Sequence, residues 1–382
     1  MKVAVLSHAF EEYCIQLANG LARESEVLLL LSRPEAAEYA DQLDPAIHYR
    51  PFEKLRLRQP ARQLAAAAGL VRQIRRFQPD VIHFQHGHLW FNFLLPWLRS
   101  YPLVVTIHDP RQHVGDAHSR KTPQSILEYG YRRASRVIVH GEALKRQVVE
   151  SLGFKSDKVH VVPHIAIGQG NECQSDAHKD SNTVLFFGRI WDYKGLEFLI
   201  RAEPMINQAI PNARIVIAGE GDDFEPYRRM MARPDRFVVH NRYISAAERD
   251  QLFREASVVV LPYVDATQSG VIPVAYSYGL AVVATRVGAL AEAVDEGQTG
   301  LLVPPRDPEA LAAAVIELLA DPERSRAMGA AGRKKLDAEY SPQVVAQQTV
   351  DVYRRAIYDR AKVRRGISAG GRVAMSLEQS RP

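Results

Sequence analysis

The chain has 382 residues, of which 46% are hydrophobic and 24% are charged, and its formal net charge is +5. This composition excludes a mainly disordered chain, because disordered chains are depleted in apolar residues. Two cysteines exclude a disulfide framework and a cysteine-based zinc site. The opening MKVAVLSHAF is typical of a buried strand rather than a signal peptide, and every apolar run is too short to span a membrane, so we expect a cytoplasmic protein.

Short apolar runs alternate with helical patterns from the first residue to residue 164. In the helical segment 61–77, for example, Leu64, Ala68, Val71 and Ile74 form a stripe that we expect to be buried. Strand–helix alternation predicts a mostly parallel sheet with helices on both faces. The predicted strands are 3–8, 27–31, 80–84, 103–108, 136–140 and 158–164, and the predicted helices are 12–23, 61–77, 125–134 and 144–152.

The alternation stops in a polar segment and then begins again. Residues 168–182 show no apolar pattern, which is typical of a linker. The fold class is therefore α/β, with two Rossmann-like, doubly wound parallel-sheet domains that face a cleft. The predicted divisions are an N-terminal domain at 1–168, a linker at 169–182, a C-terminal domain at 183–341, an amphipathic helix at 342–358 and a basic tail at 359–382 that we expect to be flexible.

The segment FFGRIWDYKGLEFLI places two cations after a predicted strand. The strand ends at Gly188, Arg189 follows it, and Lys194 with Gly195 opens the next helix. Arginine offers a fixed fork of donors and lysine a mobile charge, so the two can converge on one anion. A diphosphate is the obvious candidate, although a pair of surface cations on a loop would show the same pattern.

A second candidate anion site lies in the segment YVDATQSGVIPVAYSYG. Gln268, Ser269 and Gly270 form a polar turn before a helix that we expect to begin at Val271. The free amides of Ser269, Gly270 and Val271 would then sit at a helix N-terminus, where the dipole favours an anion. Together the two motifs predict a cradle that could hold a nucleotide diphosphate and stabilise it as it leaves.

The motifs of the second half occur in a distinctive order. Gly-Arg-x4-Lys-Gly is followed by the strand end Gly219-Glu220-Gly221, then by Gly-x-x-Pro, by Gly-x-x-Val-Val-Ala-Thr-x-Val-Gly and by TGLLVPPRDPEALAAAV. This combination resembles the family 4 glycosyltransferases, which are retaining, nucleotide-sugar-dependent enzymes of the GT-B fold. The resemblance covers nearly all of the chain to about residue 358 and is most specific between 184 and 308.

The resemblance implies a set of site residues. Arg189 and Lys194 match the family's diphosphate-binding pair, and His108 matches a histidine that approaches the transferred sugar. Tyr243 and Ile244 match the stretch that borders the nucleobase, and the helix at 342–358 resembles one that crosses back to the first domain. The implied catalytic residues are His108, Arg189 and Lys194, and the implied donor-binding residues are Gly188, Arg189, Lys194, Gly219, Tyr243, Ile244, Gln268, Ser269, Gly270, Val271 and Tyr276.

Two features depart from the family pattern. The family's two glutamates, with seven residues between them, fall on Gln268 and Tyr276, and a tyrosine cannot bind ribose hydroxyls as an acceptor-only carboxylate does. The first loop, SHAFEEYC, lacks the common double glycine. A GT-B nucleotide-sugar epimerase and a non-catalytic nucleotide-sugar-binding protein therefore stay open as alternatives. An NAD-dependent oxidoreductase is not favoured, because it needs Gly-x-Gly-x-x-Gly after the first strand.

The implied activity is transfer of a sugar, with retained configuration, from a nucleotide diphosphate sugar to a hydroxyl acceptor in polysaccharide or glycoconjugate biosynthesis. The acceptor would be a saccharide or a lipid-linked saccharide, and we expect no nucleic-acid partner. The basic stretch 54–76 favours peripheral contact with an anionic membrane. The apolar segment 89–100 fits a buried helix best, or otherwise the edge of an acceptor site.

We expect neither a cofactor nor a metal. The chain contains no Asp-x-Asp pair, which a metal bridging a diphosphate often needs. Histidines are frequent near the ends of the predicted strands, and imidazole suits zinc. No carboxylate lies at metal-ligand spacing from His86 and His88, which follow a predicted strand in a loop. The histidines near predicted strand ends are His83, His86, His88, His108, His113 and His118.

Overall fold

The computed structural model describes residues 1–32, 37–53, 55, 58–85, 88–110, 123–168, 182–221 and 223–364. Most of the predicted linker and the end of the basic tail lie outside these residues, as do His86, His113 and His118. All bounds below refer to the described part of the chain.

Seven parallel strands form the first described sheet. They are β1 (Lys2–Ser7), β2 (Glu26–Ser32), β3 (His48–Phe52), β4 (Val81–Phe84), β5 (Leu103–Thr106), β6 (Arg136–Val139) and β7 (Val159–Val161). Their order across the sheet is β3-β2-β1-β4-β5-β6-β7. The direction of winding reverses between β1 and β4, and open parallel sheets bind ligands at such a point, beyond the carboxyl ends of the strands.

Six parallel strands form the second described sheet. They are β8 (Thr183–Phe187), β9 (Arg214–Gly219), β10 (Phe237–Asn241), β11 (Val258–Leu261), β12 (Val282–Thr285) and β13 (Gly300–Val303). The order is β10-β9-β8-β11-β12-β13, so the winding reverses between β8 and β11. Residues of β11 and β12 are buried on both faces, which explains their continuous apolar runs. Two doubly wound parallel sheets confirm the predicted fold class.

Helices cover both faces of the two sheets. Those in the described ranges are α1 (Glu11–Ala22), α2 (Pro60–Phe77), α3 (Leu89–Asn92), α4 (Gln124–Arg132), α5 (Glu142–Leu152), α6 (Leu196–Ala209), α7 (Glu225–Arg228), α8 (Ala246–Glu255), α9 (Val271–Ser277), α10 (Leu290–Ala293), α11 (Pro308–Ala320), α12 (Pro322–Lys335) and α13 (Pro342–Arg364). Asp307 and Asp321 cap α11 and α12 by accepting backbone N–H groups. None of the helices within these ranges is long and apolar enough to cross a bilayer.

Helix α13 packs on the first sheet's domain, although it follows the second domain in the chain. Val345, Val352 and Tyr353 are buried in one cluster with residues of α1. Gly20 of α1 permits this approach, because a Cβ there would lie 2.3 Å from the carbonyl oxygen of Pro342. The predicted crossing helix at 342–358 thus continues to Arg364, and the first residues of the predicted basic tail are helical.

The buried side of α2 differs from the predicted stripe. Val71 and Ile74 are buried as predicted, but Leu64 and Ala68 face solvent and Ala67 is buried instead. At about 100° per residue, Leu64 is turned roughly 80° away from Ile74, whereas Ala67 is turned only about 20° away. The predicted stripe follows the helical period, but the buried face, which also includes Gln63 and Leu70, is centred about 60° around the helix from it.

The segment 89–100 is not one buried helix. Helix α3 ends at Asn92, and a short 3₁₀ turn at Leu95–Leu98 contains Pro96, which cannot continue an α-helix. Phe93 and Trp97 are 50% and 55% exposed. The prediction of a buried helix here is therefore wrong for the outward side of the segment.

Candidate functional site

Two glycines bring the carboxyl ends of β8 and β9 into contact. Gly188 has φ +114° and Gly219 has φ +149°, a region that side chains rarely allow. A Cβ on Gly219 would lie 2.1 Å from the carbonyl oxygen of Gly188. Only glycine fits there, so the two predicted site glycines build the floor of one edge of the second sheet.

The polar turn before α9 lies beside this floor. A Cβ on Gly188 would be 3.8 Å from a methyl group of Val271, the first residue of α9. The backbone N–H of Val271 donates to the Ser269 hydroxyl at 3.2 Å, and that hydroxyl lies 3.4 Å from the Tyr263 hydroxyl. The strand end and the turn, predicted separately, therefore meet at one place.

Both predicted cations sit over aromatic rings. The Lys194 ammonium lies 3.8 Å from the ring centre of Tyr263, which also contacts Ser269. The Arg189 guanidinium lies 3.9 Å from the ring centre of Trp191 and is exposed. Such contacts hold a cation in place while its charge stays available. Trp191 and Tyr263 were not predicted, although both lie within the two segments that carry the predicted motifs.

Gln268 presents an unused acceptor beside the turn. Its amide oxygen is buried and has no hydrogen-bond partner among the described residues. A buried polar atom without a partner costs about 1–3 kcal/mol. A ligand hydroxyl would satisfy this oxygen, which agrees with the predicted role of Gln268 toward a sugar.

Tyr243 and Ile244 lie between β10 and α8, at the same edge of the sheet. Tyr243 is 61% exposed. The loop is held by Arg242, whose guanidinium donates to both carboxylate oxygens of Glu248 at 2.6 and 2.9 Å. The hydrogen bonds from Arg242 and Ser245 lower the pKa of Glu248 to about 2. An exposed aromatic ring on a braced loop is suited to stacking against a planar ligand.

Tyr276 does not lie with the other predicted donor-binding residues at this edge of the sheet. Its side chain is fully buried, and its hydroxyl contacts Thr299 at 2.7 Å and donates to the carbonyl oxygen of Ala293 at 3.2 Å. Gly332 of α12 packs directly on its ring. The assignment of Tyr276 to donor binding is therefore wrong, because the side chain faces the interior of the second domain rather than the sheet edge.

His108 lies at the carboxyl edge of the first sheet. It is 3% exposed, its Nε2 is 3.2 Å from the Gln85 amide oxygen, and its Nδ1 is 3.2 Å from Nε2 of His140. Phe10 stacks on its ring at 4.1 Å between ring centres. Phe10 has φ +60° in the first loop, a left-handed backbone that glycine favours and that an aromatic residue rarely adopts.

The two sheet edges contact each other. The imidazole of His164, after β7, lies beside Gly270 of the polar turn, 3.3 Å from where a Cβ would stand. Across the same interface the Arg249 guanidinium donates to the Glu12 carboxylate at 2.7 Å. Thr267 donates to Asp109, the residue after His108. His108 and the polar turn therefore belong to one cleft.

Burial disfavours the charged form of three histidines of the first domain. It lowers the pKa of His83 to about 3, of His140 to about 4 and of His164 to about 3. For His164, a hydrogen bond to the carbonyl oxygen of Ile165 opposes this shift only in part. Within the described ranges, no three His, Cys, Asp or Glu side chains are grouped so that they could hold a metal ion.

Two family models match the chain. The model described as Glycosyltransferase Family 4 matches residues 10–165, and the model described as Glycosyl transferases group 1 matches residues 181–321. The D-inositol 3-phosphate glycosyltransferase of Kineococcus radiotolerans is 28% identical over 407 residues, covering 92% of this chain and 91% of that protein. An uncharacterized glycosyltransferase of Methanocaldococcus jannaschii is 32% identical over 299 residues, covering 73% of this chain and 76% of that protein.

Solved structures show the same architecture. Sucrose-phosphate synthase from Thermosynechococcus elongatus superimposes with a TM-score of 0.70 at 20% identity, over 94% of this chain and all of that one. Anabaena HepE in complex with UDP-glucose superimposes with a TM-score of 0.69 at 18% identity, over 93% of this chain and all of that one. At this identity the likeness shows the fold alone, which is GT-B. The matched models and relatives place the chain in the family 4 glycosyltransferases.

Proposed function

We propose that the protein is a retaining hexosyltransferase that uses a nucleotide diphosphate sugar as donor and a saccharide or lipid-linked saccharide as acceptor. The observation that carries this proposal is the meeting of the Gly188 strand end, Lys194 and the turn at Ser269 at one sheet edge. Two cations beside the polar turn that precedes α9 suit a diphosphate. Polysaccharide or glycoconjugate biosynthesis is the process we infer for it.

The proposed chemistry is stabilisation of the leaving diphosphate. Cleavage of the bond between sugar and phosphate places negative charge on the β-phosphate, and Arg189 and Lys194 neutralise it together with the amides of the polar turn. Each such interaction supplies roughly 2–4 kcal/mol if it strengthens as charge develops. The departing phosphate takes the acceptor proton on the same face of the sugar, which retains the configuration.

The other proposed contacts orient the donor. Tyr243 and Ile244 border the base, the Gln268 oxygen accepts from a sugar hydroxyl, and His108 approaches the transferred sugar from the first domain. Because two side-chain cations already oppose the diphosphate, we propose that no metal or other cofactor is required. Transfer in the presence of a chelator should then equal transfer with added Mg²⁺, and a strict need for Mg²⁺ would reject this part.

We propose that the first domain also contacts an anionic membrane. Phe93 and Trp97 are exposed beside α2, which carries exposed arginines and no acid. Those arginines are Arg62, Arg72, Arg75 and Arg76. The protein should co-sediment with phosphatidylglycerol vesicles and not with phosphatidylcholine vesicles, and a Phe93→Ala/Trp97→Ala variant should lose this binding. Equal sedimentation with both lipids would reject the contact.

The experiment that tests the activity is a panel of nucleotide diphosphate sugars, beginning with UDP-glucose, the ligand of the HepE structure. A donor present at 100 times its Kd stabilises the fold by about 2.7 kcal/mol and raises the Tm. NMR of the product's anomeric proton should then show the donor's configuration. An inverted product would contradict retention, an epimerised free donor would support the epimerase, and binding without any turnover would support a non-catalytic protein.

A further inference from the structure

Phe10 breaks two local rules at the point where the first loop ends and α1 begins. It is the N-cap of α1 with φ 60° and ψ 46°, and its side chain makes no capping hydrogen bond. Glycine is favoured in such left-handed backbone because it has no Cβ to collide with the following carbonyl oxygen. Short polar residues are favoured at an N-cap because their side chains accept backbone N–H groups. A phenylalanine at this position provides neither advantage.

An aromatic residue in this conformation is also unusual among the described residues. The other described non-glycine residues with positive φ are Gln78, Asn182 and Arg306, which all have polar side chains. For a bulky residue the left-handed region is an outlier that destabilises the fold. Such outliers persist where the surrounding structure holds them, and they cluster at functional sites. The strained backbone of Phe10 therefore calls for a contact that its side chain alone provides.

The Phe10 ring makes such a contact with the imidazole of His108. The ring centres are 4.1 Å apart and the ring planes are 25° from parallel. Phe10 follows β1 and His108 follows β5, and β4 lies between these two strands in the sheet. Two strand spacings amount to about 9–10 Å, so only a long side chain at position 10 reaches the imidazole.

Other rings border His108 on different sides. Tyr13 of α1 meets it edge-on with ring centres 5.3 Å apart, and the ring of His140 lies tilted at 4.8 Å. His108 is 3% exposed, whereas Phe10 is only partly buried. The χ2 angle of a histidine has a broad energy profile, so packing has to fix the direction of the ring. A ring stacked on the imidazole face blocks rotation about χ2, because rotation would drive an edge of the imidazole into the stacked ring.

We propose that Phe10 is a positioning residue for His108, and that the chain keeps a strained backbone at residue 10 because it delivers the ring to the imidazole face. The stacked ring holds the His108 imidazole in one orientation in the cleft. A residue that served only to begin α1 would need neither the ring nor the strain. This inference rests on the proposed role of His108 toward the transferred sugar.

The test separates the backbone of residue 10 from its ring. Phe10→Gly removes the ring and relieves the backbone, Phe10→Ala removes the ring alone, and Phe10→Tyr keeps the ring. Gln78→Gly and Gln78→Ala are the matched controls, because Gln78 at the end of α2 has φ 53° and is exposed. Urea unfolding, NMR of the imidazole C–H protons and steady-state transfer are measured on the full-length protein. A His108→Gln variant assigns the His108 signals.

We expect stability to follow the backbone and activity to follow the ring. The equilibrium constant for unfolding should be at least about threefold smaller with glycine than with alanine at both positions. Loss of the ring current in Phe10→Gly and Phe10→Ala should move the His108 C–H signals downfield. Both of these variants should lower kcat about tenfold or more with less than about a twofold change in donor KM. Phe10→Tyr should retain most of the wild-type kcat and the wild-type His108 signals, and the two Gln78 variants should match the wild type in both.

Unmoved His108 signals in Phe10→Ala would overturn the inference, and so would a kcat of Phe10→Ala within about twofold of the wild type. Equal unfolding constants for Phe10→Gly and Phe10→Ala would show that the backbone is not strained, which would overturn it as well. A wild type that neither binds nor transfers any donor would instead reject the proposed function. Unfolding and NMR need no substrate, so they decide in that case too whether a strained Phe10 fixes the His108 ring.

Discussion

Buried neutral histidines make the first domain sensitive to acid. His83, His140 and His164 have pKa values of about 3 to 4 in the folded chain, below the ordinary value of about 6.5, because burial disfavours the charged ring. Between about pH 4 and pH 6.5 these histidines bind more protons in the unfolded chain than in the folded chain. Their contribution to stability is therefore complete above about pH 6.5 and declines as the pH falls toward 4.

We expect the free energy of unfolding to fall below pH 6.5 by up to about 1.4 kcal/mol per pH unit for each of these histidines. Urea unfolding between pH 7.5 and 4.5 measures it. His164→Asn should lessen the slope by one histidine's share, since an asparagine amide can still donate to the Ile165 carbonyl oxygen. His48→Asn is the control, because His48 is half exposed. Equal slopes for wild type and His164→Asn would contradict this account.

At the level of helices and strands, local patterns carried most of the prediction. Alternation of apolar runs and helical periods was enough to predict two parallel sheets, and Gly-Arg-x4-Lys-Gly predicted a strand that ends at Gly188 with two cations after it. Strand β3 was missed because its residues are half buried or exposed and alternate poorly. Tyr276 was misplaced because family spacing gives no helical phase, and α9 turns that side chain inward.

Contacts between distant segments could not be predicted. His83 and Tyr353 are separated by 270 positions, and His108 and His140 by 32. Nothing in either neighbourhood marks the partner, because a buried histidine and a surface histidine have the same local sequence signal. The hydrogen bond between His83 and Tyr353 therefore emerges only from the way that α13 packs on the first sheet.

The packing of α13 on α1 depends on one glycine. Gly20→Ala would place a Cβ 2.3 Å from the Pro342 carbonyl oxygen and 2.7 Å from the Cβ of Ala346, so the helices must separate. We expect a loss of about 1–3 kcal/mol in the free energy of unfolding. Gly69→Ala is the matched control in α2, where nothing lies within 4 Å, and it should stabilise by up to about 1 kcal/mol. Equal changes in the free energy of unfolding for Gly20→Ala and Gly69→Ala, measured with denaturant, would contradict this packing.

At the scale of the whole molecule, a buried ion pair joins the two domains. Arg249 and Glu12 are 6% and 8% exposed, and Glu12 also accepts the backbone N–H of Gly168 at 2.9 Å. Burial alone would lower the pKa of Arg249, but the Glu12 carboxylate raises it above its ordinary value. The Arg249 guanidinium therefore stays charged although it is buried.

Removing one partner of this pair should cost more than removing both. Arg249→Met leaves the Glu12 charge buried and should destabilise by about 3–5 kcal/mol. Glu12→Gln/Arg249→Met should recover part of that loss, because Asp250, which also accepts from Arg249 at 3.3 Å, still loses its partner. Thermal unfolding measures these two variants and the single variant Glu12→Gln. The exposed pair Arg324–Glu317 serves as the control, and Arg324→Met should cost under about 1 kcal/mol. Additive losses at Arg249 and Glu12 would show that the pair does not couple the domains.

If the Gly188 strand end carries a cation pair for the donor diphosphate, the double variant Arg189→Ala/Lys194→Ala should lose transfer. Its control is Arg201→Ala/Arg214→Ala, which also removes two exposed cations of the second domain, one on α6 and one at the opposite end of β9. Transfer from the donor with the largest thermal shift is measured for both. We predict that kcat/KM falls by at least about 10³-fold in the first variant and less than twofold in the control, with Tm values within a few degrees of the wild type. If Arg189→Ala/Lys194→Ala transfers the sugar at the rate of the control, the two cations do not bind the donor diphosphate.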